Sequence, residues 1–556
     1  MTNRRLDIRG ARWAVVFAVF GLLFIEPMWL IRTLGSDDAS YFAHAATVAL
    51  DFDFDYSNEA ALTWSADQRV AAGSPGSGWM AAPFVAAFSL VDRVAGHPVI
   101  QDHAHYYYSW SLFGMFVAAL VYFLLGVWFY RRALETVWPG LDPRLNLLLA
   151  FSTGVPFYVL RRFTMSHAYE FFACAFAVWA AVNLFRALGE GSDTRKWYAF
   201  SGLAAGLGIA VRINNVNALF LGPTILLLLT IFSPGMMPRV EWNRIRRALA
   251  VMTGVALAGA LPIALFNLEF FGAVYPSPAS MYGQPLHGTG SRTPLEIVAH
   301  GITLLPNLIP LIFSSEFGVL YTNPVLVLGG VLLIGMLGYR LARTRDAPHA
   351  LAFIAVLAYF GLNTAIVLWW RSTGTSYGYR YLFPLYPVAL LGLLIAIHGA
   401  VTTAQVRRVL LPVTIVLASV SIVSMTMFSA SENLEVNPAV NVFGRFHSAS
   451  ARGYMTALPR EMARARTWVS LPSRRLIGYF VAPYAVESRW RERIPRTWRN
   501  TYHQLYEPAP LDVTLQLLLI FGGWSAAGYW LTRRRAAEST RTPDFRGAGE
   551  PVLLSA

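Results

Sequence analysis

Apolar runs of about twenty residues recur along almost the whole chain, and no other feature limits its fold so severely. A helix crossing ~30 Å of hydrocarbon needs about 20 such residues. Runs of this kind fall at 13–34, 106–130, 145–160, 167–188, 198–211, 216–232, 248–268, 320–339, 350–370, 381–398, 409–428 and 511–531. Hydrocarbon offers backbone amides no water, so each run must satisfy them internally as a helix. The reading is an all-α polytopic membrane protein with about 12 transmembrane helices. Arg212, Asn214 and Asn215 interrupt the apolar region between the fifth and sixth spans. The first span is read as retained, because it carries Glu26-Pro27 and no clear small-x-small cleavage site follows it.

Arginine orders these spans. Arg4, Arg5, Arg9 and Arg12 precede the first, and Arg131 and Arg132 follow the second. Arg186, Arg195 and Lys196 follow the fourth, and Arg239, Arg244, Arg246 and Arg247 the sixth. Arg340, Arg343 and Arg345 follow the eighth, Arg407 and Arg408 the tenth, and Arg533, Arg534 and Arg535 the twelfth. Every even-numbered span thus exits into a short basic stretch, the parity that the positive-inside rule demands. Both termini are then cytoplasmic, in the cell inner (plasma) membrane, and the long segments 35–105, 270–318 and 429–510 face outward. A core of 1–428 carries the first two long loops, 429–510 is a loop or small domain, and 511–556 is a final span with a tail. The loop 429–510 either lies on anionic lipid through its arginines and Trp468, Trp490 and Trp498, or caps the outer mouth in water.

Composition excludes the rival classes. Hydrophobic residues make up 55% of the 556, and charged residues only 14%, against roughly a quarter in a soluble domain. The net charge of +14 is spent at helix ends and implies no nucleic-acid partner. The single cysteine, Cys174, forbids an intrachain disulfide and reads as a small core residue.

The first chemistry-bearing feature is Asp37-Asp38-Ala39-Ser40-Tyr41, where span 1 leaves the membrane. On a short helix capped by Ser36 or Asp37, Asp37, Tyr41 and His44 share a face while Asp38 points about 100° away. One carboxylate is then free for a substrate while the other orients a loop; two solvated carboxylates at a helix N-terminus are the alternative. A second feature is Gly378-Tyr379-Arg380-Tyr381-Leu382-Phe383-Pro384, at the outer start of span 10.

Asp37–Tyr41 resembles the Asp-Glu-x-x-Tyr-type motif of GT-C superfamily membrane glycosyltransferases, in the protein O-mannosyltransferase and lipid A aminoarabinose transferase branch. The 378–384 segment is similar to that branch's Gly-x-Arg-Tyr…Pro segment, and the layout of a large first outer loop and ten or more spans is similar too. Asp38 stands where many relatives have Glu, and the C-terminal region here ends in another span. The resemblance implies a GT-C-like fold that moves a sugar from a polyprenyl-phosphate donor to a glycan, lipid or protein acceptor at the extracytoplasmic face. It implies Asp37 and Asp38 as catalytic residues, with Asp37 the general base, and Tyr41, Tyr379, Arg380 and Tyr381 as substrate-binding residues. It implies no cofactor and no metal.

Further substrate-binding candidates come from outer helix ends, where positive charge is not expected. Arg161, Arg162 and Arg212 offer planar forks to a lipid phosphate or a sugar carboxylate. His167 carries Glu170 on its own helical face, and binds substrate or a metal, assists proton transfer, or forms a closed His–Glu pair. Glu316 either hydrogen-bonds sugar hydroxyls or orients arginines. Asp51, Asp53 and Asp55 alternate with Phe52 and Phe54, and read as a solvated loop with both rings packed underneath; the alternative is a divalent-cation face. His103 and His105 lack a clear third ligand. Tyr275–Pro294 is either a mobile lid or a connector. The rival function is a lipid-linked sugar flippase or other multi-span transporter, which would place its ionisable groups near the bilayer midplane.

Overall fold

In a computed structural model the described residues are 36–57, 59, 70–96, 109–138, 141–160, 162–212, 215, 217–232, 240–276, 303–313, 319–370, 380–398, 404–432 and 510–532, with a few positions of the first span. Among them there is helix and no strand. The helices of the first long loop are α1 (Ser36–Ala46), which runs on into a π-turn at Thr47–Asp51, and α2 (Gly76–Ala95). Then come α3 (Trp110–Val137), α4 (Pro143–Phe151), α5 (Val155–Leu160), α6 (His167–Glu190), α7 (Arg195–Val211), α8 (Ala218–Phe232) and α9 (Trp242–Phe271). After short helical turns at 305–313 and 319–322 follow α10 (Pro324–Thr344), α11 (Ala347–Trp370), a 3₁₀ turn at Arg380–Leu385, α12 (Tyr386–His398), α13 (Ala404–Glu432) and α14 (Pro510–Thr532).

Six stretches among the described residues are long and apolar enough to cross a membrane: Trp110–Val137, His167–Glu190, Trp242–Phe271, Pro324–Thr344, Ala347–Ala365 and Arg380–His398. They coincide with the expected second, fourth, seventh, eighth, ninth and tenth spans. The expected third span is a correction. Ser152 and Thr153 fold their hydroxyls back onto the Leu149 and Ala150 carbonyls at 2.8 and 2.7 Å. Gly154 then takes the left-handed conformation at φ 76°. The run therefore divides into α4 and α5, each too short to cross. Most of the first span and residues 433–509 lie outside the described residues.

Two helices are interior. The apolar windows of α6 and of the stretch leading into α12 are 83% and 89% buried, while those of α9 and α11 are only 22% buried and leave apolar faces uncovered. Glycine sets the closest packing. A Cβ on Gly206 of α7 would stand 2.2 Å from the Gly259 carbonyl oxygen of α9, and one on Gly259 would stand 2.1 Å from that of Gly202. Small residues let membrane helices approach to backbone contact, where dispersion and not hydrophobicity drives association. Cys174 is buried on α6, as expected of a core residue.

The first long loop is fastened by polar groups. Asp92, near the end of α2, is buried and accepts from the Trp110 and Ser111 amides at 2.8 Å each and from the Ser111 hydroxyl at 2.6 Å. It thereby satisfies donors that the first turn of α3 cannot satisfy itself. At the other end of α2, Gly76 abuts the Ala210–Val211 backbone of α7 and Gly78 abuts His44 and Ala45 of α1. The start of α2 is thus wedged between the two helices that deliver Asp38 and Arg212.

The basic exits meet at one end of the bundle. Arg131 of α3 donates to the Leu531 carbonyl of α14. Arg340 of α10 donates to the Ile231 carbonyl of α8 at 2.7 Å, and Arg244 of α9 to the Leu188 carbonyl of α6 at 3.2 Å. These carbonyls lie in the last turn of their helices, where cations complement the dipole.

Candidate active site

Polar residues gather at the opposite ends of the same helices, around the start of α6. Asp38, on the first turns of α1, is buried. Its Oδ2 accepts from Arg162 Nη2 at 2.5 Å, and its Oδ1 accepts from the Thr164 hydroxyl. Both donors stand in the turn that leads into α6. The carboxylate thus joins the first long loop to residues more than 120 positions later. In the same helix Tyr41 is buried, and interacts electrostatically with Arg212.

His167 opens α6 and is fully buried. Its Nδ1 lies 3.0 Å from Glu170 Oε2 and 3.1 Å from Arg212 Nη1. The Tyr158 ring of α5 meets the imidazole edge-on at 4.2 Å between centroids, and the Phe383 ring does so at 5.1 Å. Arg212, the residue that ends α7, has extended backbone and 7% exposure. Its guanidinium carbon sits 4.4 Å from the centroid of the Tyr381 ring, and that of Arg380 sits 5.4 Å from the same centroid. Arg162, Arg212 and Arg380 all lie near enough to act electrostatically on His167.

The 3₁₀ turn that carries Arg380 and Tyr381 is held from outside. Tyr359 of α11 donates to the Pro384 carbonyl at 2.9 Å, and Tyr130 of α3 to the Pro387 carbonyl at 3.3 Å. Pro384 and Pro387 cannot donate in return, and the two buried hydroxyls find acceptors there.

The structure therefore brings together Asp38, Tyr41, Arg162, His167, Arg212, Arg380 and Tyr381, all expected from the sequence. The side chain of Asp37 lies outside the described residues, as do Arg161, Glu316 and Tyr379; His103, His105 and residues 277–294 do too. Thr164 and Tyr158 were not singled out by the sequence. Thr164 had a signal, since it sits two residues after Arg162; Tyr158 had none beyond an apolar run.

The aspartate-rich turn of the first loop corrects one expectation. Phe52 is 81% exposed, so its ring is not packed underneath, while the Phe54 ring, 51% exposed, still meets Trp79 and Phe266 edge-on. Phe52 sits at φ 61° because the chain reverses there after the π-turn. Asp53 Oδ1 accepts from the Thr47 hydroxyl at 3.1 Å and the Asp55 amide at 3.0 Å, and Asp55 Oδ1 accepts from the Ser57 amide at 3.0 Å. These carboxylates shape the turn. Among the described residues no group of three or more His, Cys, Asp or Glu is placed to hold a metal ion. Beneath the turn, burial brings the His44 pKa down to about 4, and its Nδ1 meets the Tyr56 hydroxyl at 2.8 Å. Burial, then the Asp51 and Asp53 carboxylates, push Glu59 up to about 8.

Fold and site together define a class: a helical, multi-span chain with an arginine-rich polar centre at one end of its bundle and a basic rim at the other. No family model matches the sequence, and no curated protein matches it. Among solved structures the chain is similar to ArnT from Cupriavidus metallidurans bound to undecaprenyl phosphate, at 13% identity and a TM-score of 0.39, over 93% of this chain and 77% of that one. It is also similar to the Archaeoglobus fulgidus oligosaccharyltransferase tethered to an acceptor peptide containing the NVT sequon. There the identity is 13% and the TM-score 0.34, over 91% of this chain. The chain spans 60% of the length of that archaeal protein. Likeness at this level concerns the course of the chain and not its chemistry.

Proposed function

We propose that the protein is a glycosyltransferase that moves a sugar from a polyprenyl-phosphate donor to a glycan, lipid or protein acceptor at the extracytoplasmic membrane face. The observation that carries this reading is the convergence of Arg212 and Arg380 on Tyr381, beside the Arg162–Asp38 pair. Guanidinium groups bind phosphate through paired N–H donors and stabilise charge that develops on it as it leaves. In this reaction the acceptor oxygen bonds to the anomeric carbon, and the bond from that carbon to the phosphate oxygen breaks. The electron pair departs with the lipid phosphate, and the acceptor proton passes to a carboxylate. Asp37 is that base. Asp38, with both oxygens engaged, holds the Arg162 turn in place.

Placement of the site opposite the basic helix ends supports an extracytoplasmic location and cytoplasmic termini. It also favours a transferase over a flippase, because the polar groups cluster at helix ends and not along a path through the midplane. Asp37→Asn should lower turnover by ~10²–10⁴ while binding of the donor persists. The test is sugar transfer in reconstituted vesicles from candidate polyprenyl-phosphate sugars, with binding of bare undecaprenyl phosphate measured alongside. Near-normal turnover for both Asp37→Asn and Asp38→Asn would refute the assignment. Movement of a fluorescent lipid-linked sugar across the vesicle membrane without transfer would establish the flippase instead.

A further inference from the structure

At the start of α6, one imidazole nitrogen faces two groups that make opposite demands on it. His167 Nδ1 lies 3.1 Å from Arg212 Nη1 and 3.0 Å from Glu170 Oε2. A guanidinium only donates and is always charged. Nδ1 therefore accepts from Arg212, and the imidazole proton sits on Nε2. Glu170 Oε2, 3.6 Å from the same Nη1, pairs with the guanidinium by charge. His167 and Glu170, three residues apart on one helical face, thus both face one nitrogen of Arg212.

This grip has a directional consequence. The guanidinium is anchored through Nη1 on the α6 side, and the Tyr381 ring lies 4.4 Å from its carbon. Nη2 and Nε have no hydrogen-bond partner among the described residues, and neither is sealed away as an orphaned buried atom. They are the donors left for a ligand. Glu170 is 1% exposed, and the Arg212 guanidinium is the cation beside it. A buried carboxylate is costly without a cation, so it is tied to Arg212.

We propose that Glu170 is a positioning residue that, with His167, fixes the orientation of Arg212 so that its two free donors meet the donor lipid's phosphate. The proposal rests on the lipid-phosphate reading of the site. Glu170 touches no substrate and acts only through Arg212. The sequence offered Glu170 as a closed pair with His167; the fold, by bringing Arg212 from 45 residues away, converts that pair into a bracket.

The test measures binding of bare undecaprenyl phosphate to the full-length protein in detergent, for Glu170→Gln, Arg212→Gln and the double variant, with thermal unfolding of each. Loss of one charge-assisted contact is worth about tenfold or more in affinity. Glu170→Gln should weaken binding by about that factor, and Glu170→Asp should recover part of it. In the Arg212→Gln background, Glu170→Gln should change affinity no further, because nothing remains to be positioned. The double variant removes both charges of a buried pair, so it keeps the comparison available should Glu170→Gln alone fail to fold. A further loss in the double variant, or unchanged binding by folded Glu170→Gln when Arg212→Gln is impaired, overturns the positioning role. Unchanged binding by Arg212→Gln overturns instead the lipid-phosphate reading on which it stands.

Discussion

Breaking the Asp38–Arg162 pair should cost more than removing it. The two side chains are 9% and 18% exposed and meet at 2.5 Å, so the pair lies closer to the buried than to the surface regime. A surface pair is worth ~0–1 kcal/mol, whereas stranding one partner of a buried pair costs ~3–5 kcal/mol. Arg162→Gln leaves Asp38 with Thr164 as the partner named here. Partial exposure and that hydroxyl temper the penalty to about 3 kcal/mol. Asp38→Asn takes the carboxylate away from Arg162, whose side chain reaches water more readily, and about 2 kcal/mol is expected. The double variant Asp38→Asn/Arg162→Gln carries no stranded charge. It should lose only about 2 kcal/mol, less than Arg162→Gln alone, which is a coupling of about 3 kcal/mol. Reversible unfolding of all four proteins in mixed detergent–denaturant micelles measures this cycle. Additive losses, within about 0.5 kcal/mol, would show that the contact carries no coupling and that Asp38 does not fasten the first loop to the start of α6.

Gly206→Leu should abolish the α7–α9 contact and with it most of the folded yield, whereas Gly254→Ala on the same α9, where an added Cβ meets nothing within 4 Å, should be tolerated; size-exclusion profiles in detergent distinguish the two. Glu59 contributes stability that is fully present below the ordinary Glu pKa of 4.5 and lost as pH rises through its folded value of about 8. Unfolding midpoints between pH 5 and 9 should therefore fall for the natural protein relative to Glu59→Gln, and parallel curves would refute the protonated state. His44 acts in the opposite sense. Its contribution is present above 6.5 and lost as pH falls through about 4, because only the unfolded state gains the proton readily. Ser57, exposed in the first loop, and Ser192, exposed between α6 and α7, should lie on opposite membrane faces. A membrane-impermeant maleimide should label Ser57→Cys in intact cells and Ser192→Cys only after permeabilisation, and the reverse pattern would invert the topology.

The sequence by itself determined the helical, membrane-spanning character of the chain and the level at which its polar groups lie. Both follow from local physics. An apolar run must be helical in lipid, and an arginine at its end must stay near water, whatever the run packs against. Arg162 and Arg212 were legible as candidates for that reason, Arg380 through the resemblance of the 378–384 segment, and the His167–Glu170 neighbourhood through a spacing of three residues on one helical face. The tertiary structure decided which of them meet. Asp38 and Arg162 are 124 residues apart, and His167 and Arg212 are 45 apart. Only the wedge of Gly76 and Gly78 between α1 and α7, together with the packing of α6 at the bundle centre, sets them side by side. It also decided that α4 and α5 are separate, since a break at Gly154 depends on hydroxyls turning back onto carbonyls, which hydropathy does not register. The exposure of Phe52 has the same origin. An alternating acidic and aromatic pattern is blind to a π-turn that leaves its last residue in the left-handed region and turns the ring outward.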